Sequence, residues 1–230
     1  MSFGQNLQFL RKMRNEMTQE ELAEKLCVSR QTISKWELDM AYPEMNKLLE
    51  LCKLFSCNMD DLVRGDLNIS DEAYSDIRIQ MVEAFSCLRY AVISQEPEDD
   101  AIHHVQIWAK ELAIEEPEII GWDFPFLSQE QINVYNMHGY EAALILREEE
   151  AIQDKQTQIF HQEAQKYIMI TIQEWSKEPF RLIPNAYKLL MTHMDINGIR
   201  HKEGKNIISC FEKSYDREGR HFMDVYIAIE

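Results

Sequence analysis

Seven of the polar side chains within residues 19–35 lie at spacings that suit contact with DNA. If residues 30–37 are helical, polar residues lie along one edge and Ile33 and Trp36 along the other. Arginine can bind guanine through two hydrogen bonds, glutamine can bind adenine, and serine or threonine can adapt to either base. A glutamine at the start of the preceding helix would contact a backbone phosphate. The predicted DNA-binding residues are Gln19, Ser29, Arg30, Gln31, Thr32, Ser34 and Lys35.

Short helices, each with its own start signal, must position these residues. Thr18-Gln19-Glu20-Glu21 forms a capping box, and Ser29 caps the helix over residues 30–37. Apolar residues at helical spacing before and after this pair extend the pattern from residue 3 to residue 63, with a break at Pro43. We predict a bundle of five helices, in which the turn at Cys27-Val28 sets the second and third helices at a steep angle.

The segment TQEELAEKLCVSRQTISKWE, residues 18–37, resembles the phage-repressor (lambda/Cro, XRE) family of helix-turn-helix proteins. The resemblance covers residues 3–66 and implies a DNA-binding head in which Arg30, Gln31 and Lys35 face bases and Gln19 holds a phosphate. Two positions depart from the family. Cys27 stands where the family usually has glycine, and residues 38–40 (Leu-Asp-Met) replace the usual Asn-Gly. A helical domain that makes only protein contacts is the alternative reading.

The net charge of the chain is −16, from 24 Lys and Arg against 40 Asp and Glu. Nucleic-acid binders are usually basic, because phosphate contacts supply much of their affinity. The charge is uneven, however: residues 1–35 hold six basic and four acidic side chains, whereas residues 67–155 hold five and 19. An acidic body behind a locally basic head would weaken non-specific DNA binding and leave selectivity to base contacts. A role in solubility alone is the other reading.

The length of 230 residues suits one large domain or two small ones, and 45% hydrophobic residues suffice for a buried core. No segment has the roughly 18–20 apolar residues of a membrane span, and the N-terminus lacks the layout of a signal peptide. We therefore expect a cytoplasmic protein with no membrane partner. Five cysteines without framework spacing favour reduced thiols, with Cys27 and Cys52 filling the core.

A polar segment around residues 64–71 marks the boundary between a helix-turn-helix domain at 1–66, a linker at 67–75 and a second domain at 76–230. In the second domain, apolar patterns indicate the order β-α-β-β twice, with a period of about 80 residues. Two such units can form one curved sheet with helices on one side and a groove between the units. The predicted fold class is α+β in two domains, a five-helix bundle followed by the duplicated β-α-β-β domain.

The second domain resembles the gyrase-inhibitor-like effector-binding domain that follows DNA-binding heads in several bacterial regulator families. The motif His138-Gly139-Tyr140-Glu141 is similar to the family's Tyr-Gly-Tyr-Glu, although His138 stands at a family tyrosine. Tyr226-Ile227-Ala228-Ile229 matches the final strand, so the resemblance spans about residues 75–230. It implies that Glu141 points into an apolar cavity and contacts a cationic or polar effector.

General physical chemistry is consistent with such a pocket. A carboxylate among aromatic walls is unfavourable when charged and unpaired, and a lipophilic cation would supply the missing charge and gain cation–π contacts. Replacing Glu141 with glutamine should then weaken a cationic effector more than a neutral one. Each aromatic could instead be ordinary core, and Glu141 a solvated edge residue. The candidate effector-binding residues are Glu141, Tyr140, Trp108, Trp122, Phe124, Trp175 and Tyr187.

The sequence contains no P-loop, nucleophile elbow or glycine-rich dinucleotide turn, and its seven histidines show no His-x-x-x-His spacing. We therefore expect no cofactor and no metal. The expected function is that of a bacterial transcription regulator, not an enzyme, which binds an operator as a homodimer and senses a small molecule. Three alternatives remain for the second domain: a hydrolase in which Glu141 activates water, a protein-interaction module, and a dimerisation module.

Overall fold

A computed structural model describes residues 2–65, 67, 72–124, 126–147 and 159–230 of the chain. The chain divides into two compact units, Met1–Glu72 with Pro184–Arg200 and Ala73–Ile183 with His201–Glu230. The domain boundaries at residues 66 and 76 stay a prediction, because residues 66 and 68–71, which include much of the predicted linker, lie outside the described residues.

The first unit begins with the five short helices that the sequence predicts. Ser2 and Thr18 each close a capping box, and the side chains of Ser29 and Asn58 accept hydrogen bonds from backbone amides of the first turn. These caps satisfy amide groups that have no partner inside a helix. The helices are α1 (Phe3–Met13), α2 (Gln19–Lys25), α3 (Arg30–Glu37), α4 (Met45–Leu54) and α5 (Met59–Arg64).

In the described part of the second unit, eight strands form one sheet whose strand pairs are antiparallel. The α+β class with a helical head and a sheet domain is confirmed. The further helices of the described residues are α6 (Pro97–Glu111), α7 (Gln129–Asn133) and α8 (Pro179–Asn197). Helices α6 and α7 belong to this unit, together with residues 179–183 of α8. The strands are β1 (Arg78–Val82), β2 (Phe85–Ser94), β3 (Ile119–Asp123), β4 (His138–Leu146), β5 (Ile159–Gln162), β6 (Gln165–Gln173), β7 (Cys210–Arg217) and β8 (Arg220–Ala228).

The strands follow the order β1-β6-β8-β7-β3-β4-β2-β5 across the sheet. Apart from the short helix α7 between β3 and β4, each half has the order β-β-α-β-β, one short strand more than the predicted repeat. The short first strand of each half pairs with the other half: β1 pairs with β6, and β5 pairs with β2. The halves are therefore joined both at the centre of the sheet, where β3 meets β7, and by these exchanged edge strands.

Alternation of side chains along the strands gives the sheet two different faces. One face packs against α6 and includes Leu88, Tyr140 and Leu144, and we call it the α6 face. The other, which we call the Trp122 face, draws aromatic residues from both halves of the sheet. Its buried residues include Cys87, Ile120, Trp122, Tyr167, Met169, Phe211 and Tyr226.

The core of the first unit consists of apolar residues spaced three or four apart on the helices, among them Leu7, Leu22 and Ile33, which are completely buried. Ile196, near the end of α8, also belongs to this core. Next to it, Asn197 donates from Nδ2 to the backbone carbonyl of Met13 at 3.0 Å. Residues far along the chain thus complete the helical head, which the sequence did not predict.

The turn between α2 and α3 holds Cys27 in the left-handed region, with φ of 52°. Its side chain is exposed, so the prediction that Cys27 fills the core was wrong, whereas Cys52 is half-buried. A left-handed conformation is unfavourable for residues with a Cβ, and glycine adopts it freely. The family glycine at this position therefore has a physical explanation, and cysteine occupies the position with strain.

Replacing Cys27 with glycine should stabilise the first unit by about 0.5–1 kcal/mol. Relief of a left-handed Cβ contributes about 1–2 kcal/mol, and the greater freedom of glycine in the unfolded chain offsets part of it. Urea denaturation would measure the change. Cys27→Ala is the matched control, because it removes the thiol but keeps the Cβ, and it should leave stability nearly unchanged. A glycine variant less stable than the alanine variant would contradict the explanation.

Candidate functional site

The recognition helix α3 presents the polar edge that the sequence predicts. Ile33 and Trp36 are buried in the core, whereas Arg30, Gln31 and Lys35 are exposed to solvent. Three side chains of different hydrogen-bonding chemistry therefore project from one helix of eight residues. Readout of bases in a major groove requires this arrangement. The assignment of individual bases to these side chains stays a prediction.

The hydroxyl groups at the start of α3 have a local role. The Ser29 side chain accepts a hydrogen bond from the backbone amide of Thr32 at 3.1 Å, and the two hydroxyls lie 2.9 Å apart. Ser29 thus fixes the start of the helix, and Thr32 is half-buried, as is Ser34. Contact of these three hydroxyls with DNA stays a prediction.

A buried ion pair holds α3 against α1. Arg11 donates from Nε to Oε1 of Glu37 at 2.6 Å and from Nη2 to Oε2 at 3.2 Å, and the two side chains are only 10% and 3% exposed. Arg11 also donates from Nη1 to the carbonyl oxygen of Met17 at 2.6 Å. A buried pair offsets its desolvation only when further hydrogen bonds satisfy the remaining polar atoms, as they do here.

Gln19 joins this pair from the start of α2. Its Nε2 donates to Oε2 of Glu37 at 2.8 Å, so the side-chain amide points toward the ion pair. Gln19 therefore links α2 to the recognition helix, and its predicted phosphate contact stays a prediction. Reasoning from the sequence did not identify the pairing of Arg11 with Glu37. The available signal was a charged residue on each of two helices at positions whose helical neighbours are apolar.

Glu20 lies beside the exposed edge of α3. Its Oε2 is 4.0 Å from Nε of Arg30, and both side chains are about two-thirds exposed, at 66% and 65%. An ion pair with this exposure contributes little to stability, because water and salt screen it. Arg30 can therefore leave Glu20 for a base or a phosphate at little energetic cost.

On the Trp122 face of the second unit, Glu141 already has a cationic partner from the chain itself. Arg89 on β2 donates from Nε to Oε1 of Glu141 at 2.5 Å and from Nη2 to Oε2 at 2.9 Å. The guanidinium carbon lies 5.4 Å from the centre of the Trp122 ring and 4.6 Å from that of Phe160. Beneath them, burial raises the pKa of the Cys87 thiol to about 12. Glu141 is thus neither unpaired nor a freely solvated edge residue.

Two of the predicted aromatic residues lie on the same side of the sheet as Glu141. Trp122 is directly opposite Glu141 in the pairing of β3 with β4. Phe124 covers Gly139, where an added Cβ would lie 2.7 Å from the Phe124 ring. Because residues 139 and 141 point to the same side of β4, Phe124 also lies on that side. Glycine at residue 139 therefore makes room for this aromatic wall.

Tyr140 and Trp108 lie on the opposite side, in the α6 face, and do not join Glu141. The physical reason is alternation, since neighbouring residues of a strand point to opposite faces of the sheet. The Tyr140 ring crosses β3 at Gly121, where a Cβ would lie 2.2 Å from its hydroxyl oxygen. Burial raises the pKa of Tyr140 far above its usual range, and Glu212 raises it further. Trp108 packs edge-on against Tyr90.

The remaining two predicted aromatics belong to different units. Trp175 is half-buried in a single 3-10 turn of the second unit, Trp175–Lys177. Tyr187 lies in the part of α8 that belongs to the first unit. Among the predicted effector residues of the second unit, the structure brings together Glu141, Trp122 and Phe124.

A second carboxylate, which the sequence analysis missed, lies on the same face. Asp224 on β8 accepts a hydrogen bond from the Thr171 hydroxyl at 2.6 Å, and the hydroxyls of Tyr215 and Tyr226 each lie 3.3 Å from its oxygens. The residue is only 7% exposed. Its partners among the described residues are hydroxyl groups, with no ion pair. Burial, and next the charge of Asp224, raise the pKa of both tyrosines above the usual range.

Glu141 and Asp224 occupy corresponding positions in the two halves. Each ends a His-x-x-acid segment, His138–Glu141 and His221–Asp224, on the fourth strand of its half. Glu141 is opposite Ala91 of β2, and Asp224 is opposite Thr171 of β6. The signal in the sequence was this internal repeat, which becomes informative only when the strand pairing is known.

No group of three or more His, Cys, Asp or Glu side chains arranged for a metal ion occurs among the described residues. Within the same part of the chain, no helix has the length and apolar character needed to cross a membrane.

Five helices with a capped, solvent-facing α3 define a helix-turn-helix domain, and comparison with known proteins agrees. Residues 7–62 match the protein family described as Helix-turn-helix, so the head is a helix-turn-helix domain of the XRE type. Over 66 residues the chain is 48% identical to the HTH-type transcriptional activator BcrR of Enterococcus faecalis. This match covers 29% of the chain and 32% of BcrR, so it spans about a third of that relative's length.

Two solved structures are also similar in part. The P22 c2 repressor, in complex with a synthetic operator, is 32% identical, with a TM-score of 0.27, over 29% of this chain and 98% of that chain. The EcmrR C-terminal domain is 11% identical, with a TM-score of 0.47, over 67% of this chain and 97% of that chain.

Proposed function

We propose that the chain is a transcription regulator whose head binds a specific DNA operator and whose second unit senses a small molecule. The observation that carries the proposal is the exposed edge of α3, where Arg30, Gln31 and Lys35 project from a helix held in place by a buried ion pair. The similarity of the head to the transcriptional activator BcrR supports it. We further propose that the protein acts in the cytoplasm, where a bacterial operator lies. It would bind there as a homodimer to two half-sites about one helical turn apart.

The charge distribution supports selective rather than general DNA binding. Residues 67–155 hold 19 acidic and five basic side chains, and an acidic body repels the phosphate backbone. The basic surplus is confined to residues 1–35, with six basic and four acidic side chains. Affinity for random DNA should therefore be weak at moderate salt, and base contacts should decide where the protein binds.

A mobility-shift assay with fragments of the protein's own upstream region, at several salt concentrations, tests the DNA-binding proposal. We expect specific binding at nanomolar protein, the usual range for operator binding. The matched control is the double variant Arg30→Ala with Gln31→Ala, which keeps the buried face of α3 and should lose the preference. Absence of any preference over random DNA, with or without an added lipophilic cation, would argue against a regulator.

For the effector we infer a role for the Asp224 side of the Trp122 face. Asp224 is buried and accepts hydrogen bonds from three hydroxyls, so solvent would screen little of the attraction between its carboxylate and a ligand cation. Aromatic pairs flank the carboxylate: Tyr226 stacks on Phe211 with ring centres 4.5 Å apart, and Tyr215 stacks on Phe222 at 5.6 Å. Such ring faces attract cations. The proposed effector is therefore a lipophilic cation.

Replacing Asp224 with asparagine should weaken binding of tetraphenylphosphonium about tenfold, since the variant removes the charge but keeps a hydrogen-bonding side chain. Binding of neutral triphenylphosphine oxide should change little. Isothermal titration calorimetry would measure both ligands. Asp216→Asn makes the same change of charge at a side chain that is 73% exposed, and it should bind like the wild type. Equal losses for the cationic and the neutral ligand would contradict charge recognition by Asp224.

The same geometry favours sensing over hydrolysis. Both oxygens of Glu141 accept hydrogen bonds from Arg89, so a carboxylate in this state is a poor base for activating water. The proposal therefore describes the second unit as non-enzymatic. A screen of ester and amide substrates tests it, and turnover that disappears in Glu141→Gln would establish the hydrolase instead.

A further inference from the structure

Arg89 is bound in the way that proteins bind a cationic ligand. Its guanidinium donates two hydrogen bonds, of 2.5 and 2.9 Å, to the carboxylate of Glu141. The guanidinium also lies against the rings of Trp122 and Phe160. A carboxylate fork with two aromatic walls is a recognition site for planar cations with paired N–H donors. In this chain the occupant of that site is the chain's own side chain.

The two halves of the sheet differ in this respect. Glu141 and Asp224 hold corresponding strand positions, but only Glu141 has a cationic partner among the described residues. Three hydroxyls donate hydrogen bonds to Asp224. Two cations lie near it without forming an ion pair with it: Arg78 donates to the Thr171 hydroxyl at 3.4 Å, and Lys213 is opposite Asp224 in the pairing of β7 with β8. The duplicated sheet therefore has one half in which a cation slot is filled internally and one half in which described residues hydrogen-bond the carboxylate without forming an ion pair with it.

The internal occupant can exchange with solvent. The Arg89 side chain is 33% exposed, whereas that of Glu141 is only 13% exposed and Trp122 is 8% exposed. The slot is therefore more buried than the side chain that fills it. Because Arg89 is anchored by a flexible stem on β2, it can swing toward water while the carboxylate and the indole remain in place.

We propose that Arg89 is an internal competitor for a ligand-binding slot formed by Glu141, Trp122 and Phe160. The ligands of this slot are planar guanidinium or amidinium compounds, and such a ligand binds by displacing the Arg89 side chain. Arg89 thereby sets a threshold concentration for these ligands. A phosphonium cation has no N–H donors and cannot form the fork with Glu141, so it does not compete for this slot. The inference concerns the same face as the proposed effector site but requires neither DNA binding nor the role of Asp224.

The test is titration calorimetry of the full chain with benzamidinium. Arg89→Met removes the guanidinium and keeps an unbranched apolar stem, and it should bind benzamidinium at least about tenfold more tightly than the wild type. The double variant Arg89→Met with Glu141→Gln loses the carboxylate and should return to the wild-type affinity or weaker. Benzamidinium binding that is equal in the wild type and in a folded Arg89→Met variant would overturn the proposal.

Removal of Arg89 leaves Glu141 without its partner, so the single variant can lose stability. A second measurement on the wild type avoids this problem. The Nε–H resonance of Arg89, assigned by its loss in Arg89→Lys, is expected to shift toward solvent-exposed values when benzamidinium saturates the protein. An unshifted resonance at saturation would overturn displacement. Failure of either test leaves the mobility-shift result and the phosphonium titration unaffected, so the proposals can be judged separately.

Discussion

Replacing Glu37 with alanine should lower the free energy of unfolding of the first unit by about 3–5 kcal/mol and remove specific DNA binding. The change leaves the Arg11 guanidinium charged and unpaired where its side chain is 10% exposed. It also removes the acceptor of the Gln19 side chain, which links α2 to α3. Since small domains have about 5–15 kcal/mol of stability in total, a loss of this size brings the head close to unfolding.

Hydrogen exchange of the α3 amides in the full chain measures this effect, because exchange reports opening of one unit without requiring the other to unfold. At 1.4 kcal/mol for each factor of ten, protection should fall by about two to four powers of ten. Glu20→Ala is the control, as it removes a glutamate that is 66% exposed and should change stability by less than about 0.5 kcal/mol. A Glu37→Ala effect as small as that of the control would mean that the pair does not hold the head together.

Replacing Arg30 or Gln31 with alanine should weaken binding to the preferred operator by about 1–3 kcal/mol, which is about fivefold to 150-fold, and relax the choice of base at one position. Both side chains are exposed, so neither change should affect folding. Competition between the operator and its single-base variants would measure the preference. The largest relaxation should map to one base pair for each side chain.

Gln19→Ala provides the comparison for the base-reading variants. Gln19 contacts Glu37, and its expected partner on DNA is a phosphate. Its loss should therefore weaken binding to all DNA sequences to a similar degree. The Arg30 and Gln31 variants should instead lose most affinity for the preferred operator. Equal losses on every sequence for all three variants would show that α3 does not read bases.

The head was predictable because its signals are local. The capping box at Thr18 and the cap at Ser29 lie within a few residues of the helix ends they determine. Apolar residues three and four apart then identify the buried side of each helix. The predicted bounds of α3, residues 30–37, agree with the structure for this reason. The prediction for Cys27 was wrong because a left-handed turn, not an apolar face, determines its environment.

The effector site was less predictable because it depends on strand pairing. The motif around Glu141 suggested that Tyr140 would line the same pocket, but adjacent residues of a strand cannot face the same side. The Arg89–Glu141 fork joins residues 52 positions apart, and Asp224 and Thr171 are 53 positions apart. No pattern within a short window of sequence shows which residues on β2 or β6 will be opposite a given carboxylate.

The sequence by itself determined the helix-turn-helix class of the head and the chemistry that its recognition helix offers, since helix starts, helix faces and turn positions follow from residues close together in the chain. Only the tertiary structure decided which charges are cancelled. Register across the sheet places Arg89 on Glu141 and three hydroxyls on Asp224, and helix packing places Arg11 on Glu37. The net charge of a site depends on such distant neighbours, because electrostatic energy follows distance in space and burial, whatever the separation along the chain.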